Sequence, residues 1–496
     1  MKRRAFCVSA AAALGAAAIP FGRAFSAVES VAADVEAITG DGRQVILPQS
    51  VVDDFRAGLR GQLLLPGAAG YDDARKIYNG MFDRRPAMIA RCLGAADVVR
   101  SVQFARAQGL LVAVRGGGHS LSGQSVCDGG LMIDLATLRG VRVDSAHRLA
   151  RAAGGSLLGD LDRECLAFGL VTTAGTVSHT GAGGLTLGGG FGRLARRYGL
   201  ACDQVVSVDI VTADGRLLQA SETENPDLYW AVRGGGGNFG VVTSFEYRLH
   251  PFDGMATGGH LVFPFEQARS VLRGFAELFD RAPDGLWVEP LLTKTPDGAR
   301  VLVLDMCCSD PPEAAEAAVA PYRRLGKPLQ DKVKRVSYTQ LQTQDDARAR
   351  IGGRYYLKSG FVERLTDGLI DTAIETLASA TIPRPRIAMP AMGGAVARVA
   401  PDATAYWYRR ALYSVILSTS NDDPADDAAT IQWARSQWPA LEAFTKGFYA
   451  NTNLSETPTD RVREAYGGNY ERLVGLKTRY DPTNLFHLNA NIVPRA

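Results

Sequence analysis

The 496-residue sequence lacks several patterns that define common classes of protein. Its seven cysteines contain no C-x-x-C pair, which argues against a zinc site or a thioredoxin-type redox site. Cys307 and Cys308 are adjacent, so a disulfide between them would require backbone strain. We therefore interpret most cysteines as small buried hydrophobic residues, although an oxidising compartment would permit one bridge.

An excess of charge of one sign is also missing. With 55 Lys and Arg against 52 Asp and Glu the formal net charge is +3, and removal of the four basic residues among the first 27 would make it −1. A nearly neutral chain without a basic block is a poor nucleic-acid binder. No segment after residue 27 is long and apolar enough to cross a membrane, so we expect no membrane anchor.

The first 27 residues have the anatomy of an export signal. Arg3 and Arg4 precede the short apolar segment VSAAAALGAAAIPF, and AFSA offers small residues for cleavage near Ser26 or Ala27. Adjacent arginines favour the twin-arginine route, with that export machinery as a partner, and an ordinary secretion signal is the alternative. Either signal predicts a periplasmic or secreted protein.

The length predicts two domains or three, and residue patterns predict helices alternating with strands from about residue 85. Apolar residues at helical spacing predict helices over 97–109 and 156–169. Apolar runs predict strands at 110–115 and 129–135, and turn residues predict hairpins at 141–153 and 205–220. Glycine clusters mostly stop after His250, so we place a domain boundary near that residue.

Three glycine-rich clusters are the most informative feature that is present. They are RGGGHSLSGQS (115–125), GTVSHTGAGGLTLGGGFG (175–192) and RGGGGNFG (233–240). Backbone N–H groups in such turns bind anions, so the clusters indicate one large phosphate-bearing cofactor held at several points. None supplies the lysine of a P-loop, and a polar loop follows the first cluster where a Rossmann fingerprint requires a helix. Glycine turns with a purely structural role are the alternative.

His119 lies inside the first cluster, where a structural imidazole would have little apolar surface to cover. A nucleophilic ring nitrogen held against a bound cofactor can form a covalent bond to it, and we predict that role for His119. We interpret His147, His250 and His260 as structural residues.

Four ordered motifs resemble those of the berberine-bridge-enzyme-like flavoprotein oxidases of the vanillyl-alcohol-oxidase superfamily. They are RGGGHSLSGQS, GTVSHTGAGGLTLGGGFG, ENPDLYWAVRGGGGNFGVVT and YERLVGLKTRYDPTNLFHLNANI. The resemblance covers about residues 70 to 250 and the last fifty or so. It implies an α+β fold with a two-part PCMH-type FAD-binding domain, residues 28–250 completed by 446–496. An α/β substrate domain built on an antiparallel sheet would occupy 251–445.

The resemblance implies that His119 carries FAD through a single covalent bond to the 8α-methyl carbon, and that the loop 115–120 binds the pyrophosphate. Such a bond raises the flavin potential and keeps the cofactor from being lost outside the cell. No metal is expected. The other residues that the resemblance places at the cofactor are Arg115, Gly116, Gly117, Gly118, Ser120, Gln124, Ser125, Gly175, Val177, Gly181, Gly184, Gly188, Gly240, Val242 and Asn491.

The chain departs from the family pattern at three positions. Val177 stands where many relatives carry a second flavin-binding cysteine, so we predict one covalent link only. Thr452 replaces the last tyrosine of Y-x-N-Y, the usual base, and its hydroxyl cannot serve near neutral pH. Tyr449, Tyr466 or an acid of the middle domain could act instead, and Tyr449 is equally suited to a core position. Ala490, where glutamine is common, would enlarge the space near the ring or loosen the packing there.

Thr180 matches the family position that gates oxygen access, and its small side chain favours oxidase chemistry. The resemblance implies an exported FAD-dependent oxidase that moves hydride from a small-molecule C–H bond to the flavin and releases H2O2 after reaction with O2. The substrate would be a carbohydrate hydroxyl, an aromatic or allylic alcohol, or a polyketide intermediate. The alternatives are a flavin-oxygenating enzyme that tailors polyketides and a non-catalytic flavin or metabolite binder.

Overall fold

The computed structural model describes residues 34–452 and 459–495. The predicted export signal, residues 1–27, lies outside these ranges. Within them, no helix has the length and apolar character needed to span a membrane. The six cysteines of the described ranges are buried and carry free thiols, which fits their interpretation as small hydrophobic residues.

The strands, in chain order, are β1 Val35–Ile38, β2 Gln44–Leu47, β3 Gln62–Leu64, β4 Met88–Arg91, β5 Val112–Arg115, β6 Leu131–Asp134, β7 Val141–Asp144, β8 Leu149–Ala153, β9 Leu170–Val171, β10 Val205–Val211, β11 Leu217–Ser221, β12 Val241–Arg248, β13 His250–Pro251, β14 Met255–Pro264, β15 Leu286–Lys294, β16 Arg300–Cys308, β17 Gln330–Asp331, β18 Lys334–Ser337, β19 Arg354–Val362, β20 Pro385–Ala388 and β21 Tyr413–Asn421. The α-helices are α1 Gln49–Ala57, α2 Tyr71–Ala74, α3 Ala95–Ala107, α4 Leu158–Leu166, α5 Ala182–Leu187, α6 Ala195–Tyr198, α7 Ala201–Gln204, α8 Pro226–Val232, α9 Ala268–Phe279, α10 Pro312–Arg323, α11 Tyr338–Thr343, α12 Asp367–Ala378, α13 Ala395–Arg398, α14 Asp427–Glu442, α15 Thr459–Tyr466 and α16 Tyr470–Tyr480.

A four-stranded sheet in the order β3-β4-β6-β5 forms the first layer. β4 and β5 run parallel to β6, and the predicted helix over 97–109 is confirmed as the crossover α3 between them. Val98, Val102 and Ala105 recur at helical spacing and are buried, and Gly109 just beyond the helix has a φ of 63°. β5 ends at Arg115, so the carboxyl edge of this sheet presents the first glycine cluster.

A five-stranded antiparallel sheet in the order β11-β10-β12-β8-β7 forms the next layer. It contains both predicted hairpins, because β7 pairs with β8 and β10 pairs with β11. The second hairpin turns at Asp214 and Gly215, and Gly215 adopts a φ of 80°. The predicted helix over 156–169 is confirmed as α4, which buries Leu158, Leu161 and Cys165.

The C-terminal segment packs on this second sheet. Leu473 and Val474 of α16 share a hydrophobic core with Phe245 of β12. The buried amino group of Lys477 donates to the Asn238 carbonyl at 2.8 Å, next to the third glycine cluster. Residues 34–250 and the C-terminal segment therefore form one packed unit, which we call the flavin half.

An eight-stranded antiparallel sheet spans the middle of the chain, in the order β17-β14-β16-β15-β20-β21-β19 with β18 paired to β14. The predicted boundary near residue 250 falls between β12 and β14, which belong to different sheets. One face packs against α9, α12 and α14, where Leu286 and Val288 of β15 join the core. Trp287, on the other face, lies 5.5 Å from the guanidinium of Arg193, so this face meets the flavin half.

Candidate active site

Two adjoining cavities lie where the three glycine clusters meet the C-terminal segment. Their volumes are about 180 and 360 Å³, and together they reach the size of a small-molecule or cofactor site. They are continuous, because they share the wall residues Val114, Gly116, Gly184, Gly236, Gly237, Asn451, Leu488 and Asn489.

The smaller cavity is mostly apolar. Gly240 forms part of its wall. The φ of this residue is 150°, and a Cβ there would overlap the Val211 carbonyl oxygen. Its apolar walls suit a flat heterocycle with a few polar edges. They are formed by Val112, Leu135, Leu187, Val241, Val242, Phe245, Phe486 and Leu488.

The larger cavity is walled by the first and second glycine clusters, which touch each other. A Cβ on Gly117 would overlap the Cα of Gly181, so this close approach requires glycine. The backbone N–H groups of residues 117–120 donate to no acceptor within the described ranges. Successive N–H groups without an acceptor in a glycine turn can together bind an anion such as phosphate.

His119 is buried in the wall of the larger cavity, stacked on Tyr78 with ring centroids 3.8 Å apart. Burial, together with a smaller effect of the neighbouring His179, lowers the pKa of His119 to about 3. The imidazole is therefore neutral at physiological pH, and its Nε2 is buried without a hydrogen-bond partner. A buried ring nitrogen that serves only structure would normally have a partner, so His119 is available to a ligand.

Tyr449 and Tyr466 line the larger cavity, but their hydroxyls make hydrogen bonds with other protein groups. Tyr449 accepts hydrogen bonds from the Gly190 N–H at 3.1 Å and from the Asn451 amide at 2.8 Å. Tyr466 donates to the Ala490 carbonyl at 2.9 Å. Burial raises the pKa of both phenols well above the usual value, which makes them poor bases near neutral pH.

Thr452 lies at the edge of the same cavity. Its hydroxyl donates to the Tyr449 carbonyl at 2.7 Å and lies 2.6 Å from the hydroxyl of Ser359 on β19. Ser359 belongs to the eight-stranded sheet, so this contact joins the sheet to the cavity. Thr180, the predicted oxygen gate, also lines the larger cavity.

Most residues predicted at the cofactor line the two cavities: Gly116, Gly117, Gly118, His119, Ser120, Gln124, Ser125, Gly175, Val177, Gly181, Gly184, Gly240 and Val242. Arg115, Gly188 and Asn491 line neither. Arg115 pairs with Asp134 at 3.3 Å and supports the loop from behind. A Cβ on Gly188 would collide with the amide of Asn451, and the Oδ1 of Asn491 is buried without a partner.

Sequence reasoning missed several residues of this site. His179 lies beside His119 with ring centroids 5.1 Å apart, and both of its ring nitrogens are buried without a partner. Tyr355 of β19 stacks on Tyr78 at 4.6 Å. His179 lies within the second glycine cluster and could have been identified from the sequence, whereas no motif marks Tyr78 or Tyr355.

One acid of the middle region, Glu289, lies on β15. Glu289 alternates with the core residue Val288, so its side chain points toward the flavin half. Its pKa is raised to about 7 by burial and by Asp305 and Asp345, against the opposing effect of Arg386 and Arg348.

Two family models match the chain. A model described as an FAD binding domain matches residues 86–221, and one described as berberine and berberine like matches residues 448–493. The matched segments contain the first two glycine clusters and the tail that closes the cavities.

Relatives of known name match along nearly the whole chain. An FAD-linked oxidoreductase of Dictyostelium discoideum is 30% identical, covering 90% of this chain and 97% of its own length. The (R)-6-hydroxynicotine oxidase of Paenarthrobacter nicotinovorans is 31% identical over 88% of this chain and 97% of its own. The solved structure of 6-hydroxy-D-nicotine oxidase from Arthrobacter nicotinovorans, 28% identical, superposes with a TM-score of 0.81 over 88% of this chain and 98% of its own. A chitooligosaccharide oxidase, 24% identical with a TM-score of 0.80 over 90% of this chain and 100% of its own, shares the fold.

The residues around the cavities fit FAD. The free N–H groups of residues 117–120 suit its phosphates, and the apolar smaller cavity suits a flat ring. The hydroxyl of Ser125 and the amide oxygens of Asn489 and Asn491 are buried without partners. Buried polar groups normally find partners, so these atoms call for a polar ligand.

Proposed function

The chain belongs to the berberine-bridge-enzyme-like family of FAD-binding oxidoreductases, and from this membership we propose that it is an exported oxidase whose FAD is joined to His119. When bound, the flavin accepts hydride from a substrate carbon and passes the electrons to O2, which leaves as H2O2. The substrate is a small molecule with a hydroxyl or amine group on the carbon that is oxidised.

The observation that carries this proposal is the neutral imidazole of His119, whose Nε2 has no partner, beside a row of free backbone N–H groups. The N–H groups would hold the pyrophosphate, and the imidazole would bond to the 8α-methyl carbon. Val177 carries no thiol, so the link is single. Gln124 donates to the Asn489 carbonyl at 2.9 Å and so holds the loop against the tail while the cofactor lies between them.

We assign Glu289 as the base in substrate oxidation, because the other candidate side chains already make hydrogen bonds or ion pairs. Asp305, directly across the ladder from Glu289, is satisfied by Arg193 at 3.0 Å and by Gln344 at 3.0 Å. Glu289 itself makes no hydrogen bond or ion pair within the described ranges, and its side chain is half-buried. A carboxylate with a pKa near the working pH is suited to take a proton.

The position of Glu289 supports this role. Arg193, which pairs with the neighbouring Asp305, also donates to the Thr176 carbonyl at 3.0 Å. Thr176 and Val177 line the larger cavity. Arg193 therefore links the Asp305 carboxylate to the wall of the cavity, and Glu289 lies across the ladder from Asp305, on the face of the sheet that meets the flavin half.

The test uses purified protein under anaerobic conditions. We expect the yellow protein to be bleached by at least one of (R)-6-hydroxynicotine, xylobiose, a chitooligosaccharide and (S)-reticuline, and recoloured by air with one H2O2 per turnover. These probes are substrates or ligands named for similar proteins. A flavin that dithionite reduces but none of the four reduces would favour the non-catalytic binder.

A flavin-oxygenating enzyme is the second candidate. An FAD-dependent monooxygenase of Cochliobolus heterostrophus is 37% identical over 202 residues, or 40% of this chain. With ¹⁸O₂, an oxidase leaves the label in H2O2, whereas an oxygenase places it in the product.

Export is proposed from residues 1–27 and has its own test. Replacement of Arg3 and Arg4 by lysine should leave the protein in the cytoplasm if the twin-arginine route is used, because that route reads the arginine pair. Unchanged export would favour an ordinary secretion signal.

A further inference from the structure

Arg386 places a positive charge on the face of the eight-stranded sheet that meets the flavin half. It lies on β20, directly opposite Thr293 of β15. The next residue, Ile387, packs in the core on the far side of the sheet, so the Arg386 side chain points toward the flavin half. The charge of Arg386 also opposes the rise in the pKa of Tyr78, a residue of the flavin half.

This guanidinium has no partner in the protein. Arg386 is partly buried, yet it makes no hydrogen bond and no ion pair among the residues that the structure describes. Burial, together with a smaller effect of Arg348, lowers the pKa of Arg386 to about 10, whereas Glu289 and Asp345 oppose this shift. Asp345 pairs instead with Arg348 at 2.7 Å. An arginine withdrawn from water normally has a partner, so a bound anion would stabilise Arg386.

Further arginines surround a cavity of about 240 Å³ next to this strand. Three arginines and one carboxylate line it, together with Tyr355: Arg348, Arg350, Arg384 and Asp422. The ring of Tyr355 stacks on Tyr78, which in turn stacks on His119, so the cavity lies beside the proposed flavin site. An excess of positive charge in a concave surface raises the local concentration of anions.

The spacing of Arg386 from Glu289 limits the size of the molecule that contacts both. Glu289, the base assigned above, lies four residues before Thr293 on β15, and its side chain is therefore on the same face of the sheet as Arg386. Strand geometry separates the two Cα atoms by about 14 Å. Both side chains are long and each influences the pKa of the other, so the gap between their charged ends is shorter and fits one small molecule.

We propose that Arg386 binds a carboxylate of the substrate, so that the protein oxidises small organic acids in preference to neutral molecules of the same size. The inference rests on the function proposed above and narrows its substrate class. The acid carries its hydroxyl or amine group at the end away from the carboxylate, where Glu289 takes up the O–H or N–H proton. None of the four probes named above has a carboxylate, and an acid should bind more tightly than they do.

The test measures binding to the purified yellow protein by calorimetry, with benzoate and benzamide as probes. The two molecules have nearly the same size and shape, and only benzoate is charged at neutral pH. We expect benzoate to bind at least ten-fold more tightly than benzamide. Arg386→Gln should lose this preference, and Arg386→Lys should keep part of it, because lysine retains the charge without the forked donor geometry. Arg410→Gln, which removes an exposed arginine from the wall of another cavity, is the control and should keep the full preference.

The outcomes separate this inference from the oxidase itself. Benzoate carries no hydroxyl or amine group, so its binding is measured without turnover, and the flavin content of each variant shows that it has folded. Equal affinities, no binding of benzoate, or a preference that survives in Arg386→Gln would overturn the role of Arg386 alone. A purified protein without flavin would contradict the proposed function, and this inference would fall with it.

Discussion

Burial sets the chemistry of two single side chains in this protein, in opposite directions. It lowers the pKa of His119 to about 3 and raises that of Glu289 to about 7. Both shifts follow from the same cause, since a poorly solvated site disfavours the charged form of either group. A neutral imidazole suits a nucleophile, and a carboxyl that titrates near neutrality suits a base.

Glu289 should make stability depend on pH over a defined window. Its pKa in the folded protein is raised from 4.5 to about 7, so the stability it contributes is present below about pH 4.5 and is lost as pH rises to about 7. Glu289→Gln removes this loss, and above pH 7 it should be more stable than the unaltered protein by on the order of 1–3 kcal/mol. Urea unfolding at pH 5 and pH 8 measures the difference, and an equal difference at both values would contradict the assignment.

Some site residues could be predicted from the sequence. Others could not, because their positions and partners depend on contacts between distant parts of the chain. His119 could be found because glycines on both sides mark an exposed backbone at that point. Tyr466 and Tyr449 were expected near the flavin and do line the cavity, but their hydrogen bonds depend on contacts more than 200 residues away in the chain. The sequence around Glu289 predicts only a strand. Its proximity to the site follows from the packing of β15 against the flavin half.

At the scale of elements, the site depends on the contact between two glycine loops. The first follows β5 and the second precedes α5, and their backbones approach so closely that neither Gly117 nor Gly181 can carry a Cβ. Gly237 in the third cluster differs, because it lines both cavities and a Cβ there would meet nothing within 4 Å.

Alanine at these two positions should therefore have different effects. Gly117→Ala forces the loops apart and should destabilise the fold by about 1–3 kcal/mol, as overpacking does. Gly237→Ala should leave the cofactor-free protein as stable as before but reduce its uptake of FAD, because the methyl group enters the cavity. Thermal unfolding without FAD and flavin content with FAD separate the two effects. Equal loss of stability in both variants would contradict this account of the loops.

Local elements were predictable and long-range ones were not. The hairpin that turns at Gly215 and the helix α3 follow from turn residues and apolar spacing in one short segment. The pairing of β15 with β20 joins segments about 95 residues apart, and the sequence carries no motif that fixes it. The antiparallel sheet could be expected only through the family resemblance.

At the scale of the whole molecule, Arg193 joins the flavin half to the eight-stranded sheet. Its fully buried guanidinium pairs with Asp305 at 3.0 Å and Asp345 at 3.5 Å, and donates to the Thr176 carbonyl in the cavity wall. The cation thus holds the eight-stranded sheet against the wall of the larger cavity.

Removal of this cation should be costly. Arg193→Met leaves Asp305 without its cationic partner, whereas Asp345 keeps Arg348 at 2.7 Å. Loss of one member of a buried ion pair costs about 3–5 kcal/mol. Arg398→Met, which breaks an exposed pair with Asp284, is the matched control and should change stability little. Chemical denaturation compares the two, and similar stability would show that Arg193 does not hold the halves together.

The most direct test of the account is whether flavin stays on the chain when the fold is destroyed. The unaltered protein is precipitated with acid, and pellet and supernatant are examined for yellow colour and for the mass of the chain. We predict a yellow pellet whose chain carries one FAD at His119, and a colourless pellet from His119→Ala with its FAD in the supernatant. Release of all flavin from the unaltered protein would contradict it.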